Sequence, residues 1–334
     1  MFKPTTTAFL TRVLRAAIPL ALASGMLVHP TFAADAAAGK KVIFLGADDI
    51  CEYCAAYNDA LRKYAKDAGI DLEVVTNKFD ASQQATQVSQ AIAKKPDLIL
   101  LWTIDGTALF PSMRKIKAAG IPLLLTDVEP DNKYKDLWIS YSGADYEGEG
   151  RTAADLMVES FKAKGLGESG EIIMITGIVG QAQTMSRYKG FSERLAAIAP
   201  GIKIVAQQPG NWDTGTAMDA ASGLLTKYGK TVKGIYSDED AMMKGVVAAA
   251  ERAGIDVTKL ATVSVGCEPS GVELLKAGKL DATLGQAPAD EARYAIDSVV
   301  DYFKDGKLEP KRYTPMPVAK AANGGAECKP WTQL

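Results

Sequence analysis

The chain has 334 residues, with 38 Lys and Arg against 40 Asp and Glu, four cysteines and a single histidine, His29. That near-even charge balance carries no basic footprint, so nucleic acid is not an expected partner. His29 falls within a segment that reads as a removable export signal, so the mature chain has no histidine for Ser/His/Asp triads or for the commonest metal ligand; hydrolytic chemistry is disfavoured and no cofactor or metal is expected.

Taken from the start, residues 1–33 read as an export signal. Lys3, Arg12 and Arg15 form a positive leader, 16–28 an apolar core, and Thr31-Phe32-Ala33 a small-residue processing site, so cleavage after Ala33 and a periplasmic destination are expected. The apolar core is too short to span a bilayer, and no cysteine follows the cleavage site, which argues against a lipid anchor. Cleavage removes His29 and three of the 38 basic residues but no acid, leaving a net charge of −5.

The stretch 41–69, KVIFLGADDICEYCAAYNDALRKYAKDAG, then reads as a buried strand, a turn and an amphipathic helix. An unbroken apolar run of this kind suits a parallel strand covered on both faces, and a ligand meets such a unit beyond the strand's carboxyl end. Asp48, Asp49, Cys51, Tyr53 and Cys54 occupy that place. The rhythm repeats. Strand-like runs at 42–47, 72–76, 98–102 and 122–126 alternate with helical patterns near 55–68, 83–94 and 108–119. Further runs at 171–176, 202–206, 232–237 and 261–265 alternate with helices near 184–198, 216–228 and 241–253. Alternation of this kind predicts an α/β fold of two doubly wound parallel-sheet, Rossmann-like lobes. The joint falls near Ser142-Gly143-Ala144. A further strand at 281–288, a helix at 290–304 and a mostly irregular tail from Tyr313 complete the chain. The lobes are expected to comprise 35–142 with 287–315 and 143–286 with 316–334.

The polar and aromatic residues gather where strands end: Asp49, Trp102, Asp105 and Asp127 in the first half, and Trp212, Glu239, Glu268 and Gln286 in the second. Carboxylates accept hydrogen bonds from hydroxyls, and aromatic faces cover the apolar faces of a sugar ring. That combination suits a small polyhydroxy ligand. Asp240, before AMMKGVV, suits a helix N-cap, which makes Glu239 the better pocket residue. Met242 and Met243 are read as core. Arg187 suits either the cleft or an ion pair within one lobe.

With these residues in place, the chain resembles the type I periplasmic substrate-binding proteins of ribose- and galactose-type sugar ABC transporters. The opening stretch carries the resemblance, with GIVGQAQTMSRYKGF at 177–191, QQPGNWD at 207–213, GIYSDEDAMMKGV at 234–246 and LLKAGKLDATLGQAP at 274–288. The resemblance implies two lobes on a three-strand hinge near 142–144, 286–288 and 315–318, closing over a ligand. The aromatic pair of the family falls on Tyr53 and Cys54, and its neighbouring Asn on Cys51. Its Asp-Arg pair falls on Asp127-Val128, a second arginine near Met185, the second-lobe aromatic on Trp212, and the Asn-Asp pair on Glu239-Asp240. The acid of the fifth segment falls on Cys267 or Glu268, and the hinge glutamine on Gln286. Two arginines lost and a glutamate gained imply an acidic, acceptor-rich pocket. The expected ligand-binding set is Asp49, Tyr53, Trp102, Asp105, Asp127, Trp212, Glu239 and Gln286, with a neutral sugar or polyol first and an amine-bearing solute second. The resemblance further implies delivery to an inner-membrane ABC permease, with a chemoreceptor as a second possible partner, by a monomer that is not an enzyme.

Four cysteines in an exported chain allow two disulfides in three connectivities, and the local choice pairs Cys51 with Cys54 and Cys267 with Cys328. A CxxC at a helix start also fits a thiol-disulfide oxidoreductase. A ligand-responsive transcription regulator with the same lobes requires an N-terminal helix-turn-helix, and the export signal occupies that place.

Overall fold

The computed structural model of the chain describes residues 36–328 and Trp331. The expected export signal lies outside the described residues. The first half runs β1 (Lys41–Ala47), α1 (Glu52–Asp67), β2 (Asp71–Asn77), α2 (Ala81–Ala93), β3 (Leu98–Leu101), α3 (Phe110–Ala118), β4 (Leu123–Thr126) and β5 (Ser140–Gly143). The second runs α4 (Tyr146–Ala163), β6 (Gly170–Thr176), α5 (Ala182–Ile198), β7 (Ile202–Pro209), α6 (Thr214–Tyr228), β8 (Val232–Ser237), α7 (Asp240–Arg252), β9 (Ala261–Gly266), α8 (Pro269–Lys276) and β10 (Ala282–Gly285). The chain closes with α9 (Pro288–Asp305), β11 (Lys311–Tyr313) and β12 (Val318–Lys320).

Two six-stranded sheets result, in the orders β2-β1-β3-β4-β5-β11 and β7-β6-β8-β9-β10-β12. All pairings are parallel except β10 with β12, which is antiparallel. Each sheet is therefore doubly wound, as expected, and reverses its winding between β1 and β3 in one lobe and between β6 and β8 in the other. Ligand crevices form outside the carboxyl ends of strands at such reversals.

Alternation within the apolar runs explains why both sheet faces are covered. Val42, Phe44, Leu98 and Leu100 pack with α1 and α9, while Ile43, Leu45, Ile99 and Leu101 pack against α2 and α3. In the second lobe Ile173, Ile175 and Ile235 face α6 and α7, and Ile172, Met174 and Tyr236 face α4 and α5. Successive side chains of a strand point to opposite faces, so an unbroken run serves two layers at once. Met242 and Met243 lie fully buried in one of these layers.

The chain passes from one sheet to the other three times: after β5, after β10 and between β11 and β12. Two helices were not legible from periodicity. The start of α4 carries Gly148 and Gly150, which lower helix propensity. A Cβ on Gly150 would lie 2.2 Å from the Arg187 carbonyl oxygen, so glycine there lets α4 and α5 pack closely. The eight-residue α8 is too short to display a period. The tail is also more ordered than its Pro and Gly content suggests, since β12 and the Cys267–Cys328 bridge tie it to the second lobe.

Candidate functional site

The carboxyl ends of the two sheets border a common cavity of about 60 Å³. That is several times the space one water needs. From the first lobe it is lined by the Cys51–Cys54 disulfide, Tyr53, Phe79, Trp102 and Asp127, and from the second by Arg187, Trp212, Asp238, Glu239, Glu268 and others. Tyr146 and Gln286, beside two of the chain crossings, and Trp331 of the tail complete the wall.

Local backbone geometry aims several of these side chains. Phe79, Asp127 and Trp212 adopt φ of +52°, +59° and +60°, a left-handed conformation that costs a non-glycine residue free energy and clusters at binding sites. Trp212 fits because residue 177 is glycine: a Cβ there would meet the indole at 1.9 Å. The indole Nε1 donates to Gln181 Oε1 at 2.7 Å. At the start of α1, Cys51 Sγ accepts a hydrogen bond from the Cys54 amide, so the bridge that walls the cavity also caps the helix. Tyr53 on that helix packs edge-on against Trp102 and Trp331, with ring centroids 6.0 and 5.4 Å apart. Trp331 Nε1 donates to the Gln286 carbonyl at 2.9 Å.

Arg187 organises the second-lobe side. Its Nε donates to Glu149 Oε2 at 2.7 Å, Nη1 to the Asp238 carbonyl at 3.1 Å and Nη2 to Gln286 Oε1 at 2.7 Å. The guanidinium also lies over the Tyr146 and Trp212 rings, 5.0 and 5.9 Å from their centroids. Neighbouring carboxylates hold it charged despite burial.

The acids respond to burial. Asp127, whose Oδ1 accepts from the Tyr146 hydroxyl at 3.2 Å, has its carboxyl pushed up to about 7 by burial. Glu239 is pushed up to about 8 by the same cause, with the adjacent Asp240 adding to the effect. Burial and the neighbouring Glu239 raise Glu268, and burial together with Asp127 raises Glu291, which sits behind Gln286.

Of the eight expected site residues, Tyr53, Trp102, Asp127, Trp212, Glu239 and Gln286 border the cavity. Asp49 and Asp105 do not. Asp49 is exposed and accepts a hydrogen bond from Asn58, and the Asp105 carboxylate accepts from the Thr107 and Ala108 amides in the turn before α3. Asp105 thus binds its own backbone surroundings, as short acidic side chains at turns do. Asp240 is not the N-cap of α7. It is the first helical residue, and its carboxylate accepts from Ser264, Thr283 and the Glu268 amide. Arg187, which the sequence leaves open between the cleft and an ion pair within one lobe, does both. Met185 is 56% exposed, whereas Arg187 is 3% exposed and faces the cavity, so one guanidinium is present. Of the two candidates for the acid of the fifth segment, Glu268 faces the cavity and Cys267 is bridged to Cys328. Phe79, Tyr146 and Trp331 are not among the residues the sequence singles out. Trp331 carried one usable signal, its place three residues after a cysteine.

A sequence profile described as periplasmic binding protein domain matches residues 42–308. The galactofuranose-binding protein of Escherichia coli K12 is 26% identical over 260 residues, covering 77% of this chain and 80% of that protein. The xylitol-binding protein of Mycolicibacterium smegmatis is 26% identical over 298 residues, covering 88% and 82%. Among solved structures, a galactofuranose-binding protein superposes with a TM-score of 0.79 at 24% identity, covering 86% of this chain and 97% of that one. An ABC transporter periplasmic solute-binding protein from Actinobacillus succinogenes with bound D-allose has a TM-score of 0.74 at 27% identity, covering 85% and 99%. With the profile spanning most of its length and the two-lobed fold in common, the chain belongs to the periplasmic binding protein family.

Proposed function

We propose that this chain is the exported solute-binding component of an ABC importer, capturing a small sugar or polyol between its lobes and presenting it to an inner-membrane permease. The observation that carries the reading is the cavity itself. Aromatic faces from both lobes stand around hydrogen-bonding groups at the reversals of both sheets, in a family whose relatives are named for galactofuranose, apiose and xylitol. Rings of Tyr53, Trp102, Trp212 and Trp331 cover apolar C–H faces, while Asp127, Glu239, Arg187 and Gln286 meet hydroxyls as acceptors and donors. No bond is made or broken.

Capture proceeds by rotation of the lobes about the three chain crossings. The conformation described is a closed one: a Cβ at Gly106 in one lobe would lie 3.5 Å from Ala182 Cβ in the other, and 3.3 Å from Pro130 Cβ. The permease, and a chemoreceptor where one is served, would select this closed form through rims contributed by both lobes of a monomer. The Cys51–Cys54 pair is read as structural, since it caps α1 and walls the cavity.

Thermal denaturation of the processed, ligand-stripped protein against pentoses, hexoses and polyols tests the reading. A solute at a thousand times its dissociation constant adds about 4 kcal/mol of stability. Stabilisation by one related set of these solutes or their amino counterparts is expected, and silence across all of them contradicts the proposal.

A further inference from the structure

The solute class can be narrowed from the imbalance of hydrogen-bonding atoms in the cavity, an argument that rests on the capture reading above. Each side-chain nitrogen of the lining has a partner apart from Trp102 Nε1, for which none occurs among the described residues, and the Arg187 guanidinium keeps two further N–H groups. Arg187 spends its nitrogens on Glu149, Asp238 and Gln286, Gln183 and Trp212 both donate to Gln181, and Trp331 donates to the Gln286 carbonyl. The oxygens are not committed. Asp127 Oδ2, Asp238 Oδ1, Glu239 Oε2 and Gln183 Oε1 are buried in the lining without a partner. Asp127 and Asp238 are 3% and 1% exposed, so water does not compensate them from bulk.

Charge is distributed with the same bias. Glu239 and Glu268 both border the cavity and feel each other's charge, with Asp240 adding like charge beside them. From the first lobe Asp127 borders the cavity, and Glu291, behind Gln286, is a second acid whose charge interacts with it. One cation, Arg187, stands in the lining against these acids, and its closest ionic partner is Glu149 at 2.7 Å rather than any of them. Buried carboxyls without a cation are costly when ionised and keep a proton when the site is empty. Around them stand Trp102, Trp212, Trp331, Tyr53 and Phe79, whose ring faces attract a cation held against them.

We propose that the captured solute carries a protonated amine in addition to hydroxyl groups, its ammonium seated against Glu239 and Glu268 among the aromatic side chains. Hydroxyl groups alone would fill the unpaired oxygens but add no positive charge to that of Arg187. An ammonium supplies donors and charge together, and the hydroxyls remain for the unused Arg187 N–H groups and Trp102 Nε1.

Calorimetric titration of the processed protein with matched solutes tests this: glucamine against sorbitol, D-glucosamine against D-glucose, D-galactosamine against D-galactose. In the pair that binds, the amine should bind at least about tenfold tighter, the scale of a buried charge pair at an interface. Its uptake near pH 7 should release protons to the buffer, seen as a heat that varies with the buffer's ionisation enthalpy. Glucamine affinity should also rise from about pH 5.5 to about pH 7.5 as the facing carboxyls give up their protons. Equal or tighter binding of the neutral member overturns the proposal and leaves the capture reading standing. If no member of any pair binds, and no other sugar or polyol does, the capture reading falls and this proposal falls with it. Glu268→Gln should narrow the gap within a pair, and an unchanged gap in the folded variant overturns the seat assigned to the ammonium. The wild-type comparison decides the matter even where that variant does not fold.

Discussion

Gly177 and Trp212 show how a site is built from the absence of a methyl group. The indole occupies the space a side chain at 177 would take, with the built Cβ only 1.9 Å from the ring. Gly177→Ala should therefore push Trp212 out of the cavity wall and weaken solute binding by more than about tenfold, with a loss of stability of about 1–3 kcal/mol from overpacking. Titration and denaturation of the same variant separate the two effects, and unchanged affinity would remove Trp212 from the site. Asp127 tells a related story about charge. Its folded value of about 7 lies above the usual carboxylate range, so the folded chain keeps a proton that the unfolded chain releases. The sign follows: its contribution is fully present below about pH 4, is lost as pH rises to about 7 and is flat beyond. Each pH unit within that window costs about 1.4 kcal/mol for such a group, and Glu239 extends the trend to about 8. Exposed acids held low by lysines, such as Asp131 and Asp136, work in the other direction but are screened by solvent. The melting temperature of the ligand-free protein should thus fall from pH 5 to pH 8, and Asp127→Asn should flatten that fall while weakening binding. A melting temperature that climbs over this interval contradicts the burial argument.

Among the elements, the tail is the one whose role departs most from its appearance in the sequence. Periodicity and apolar runs located most strands and helices, because those patterns are what burying two sheet faces requires. The tail has neither pattern, and its placement follows from the Cys267–Cys328 bridge, a pairing that spacing alone leaves open among alternatives. Arg187 was obscured for a different reason. Met185 and Arg187 lie two residues apart on α5 and so on opposite faces of a helix, and an alignment shifted by two exchanges a cavity residue for a solvent one. Glu239 was placed by a local argument about its neighbour that failed in detail, since Asp240 turned inward instead of capping, yet the Glu239 side chain still borders the cavity. Trp331→Ala should weaken binding by about 1 kcal/mol, the contribution of an aromatic wall, and leave the melting temperature of the empty protein nearly unchanged. Breaking the two bridges should differ in cost. Cys267→Ser with Cys328→Ser opens a loop of sequence separation 61 and should cost about 4 kcal/mol, whereas opening the Cys51–Cys54 loop of separation 3 should cost about 2 kcal/mol. Denaturant unfolding of the two double variants gives the comparison, and equal costs would contradict it.

For the molecule as a whole, the account joins two doubly wound lobes, three chain crossings and one cavity at the carboxyl ends of both sheets. Gly106 of one lobe lies against Ala182 of the other, where a built Cβ would come within 3.5 Å. The two lobes were readable because each repeats the same strand-helix rhythm, while the seating of one lobe on the other depends on contacts far apart in sequence. Capture of a solute between the lobes is the central claim, and intrinsic fluorescence addresses it directly. Trp102, Trp212 and Trp331 line the cavity, and the chain's fourth tryptophan, Trp138, is buried in the first-lobe core. Titrating the ligand-stripped protein with sugars, polyols and their amino counterparts should give a saturable emission change, one solute per chain, that Trp212→Phe greatly reduces. An emission that stays flat with every one of these solutes, in protein shown to be folded and stripped, would contradict the account.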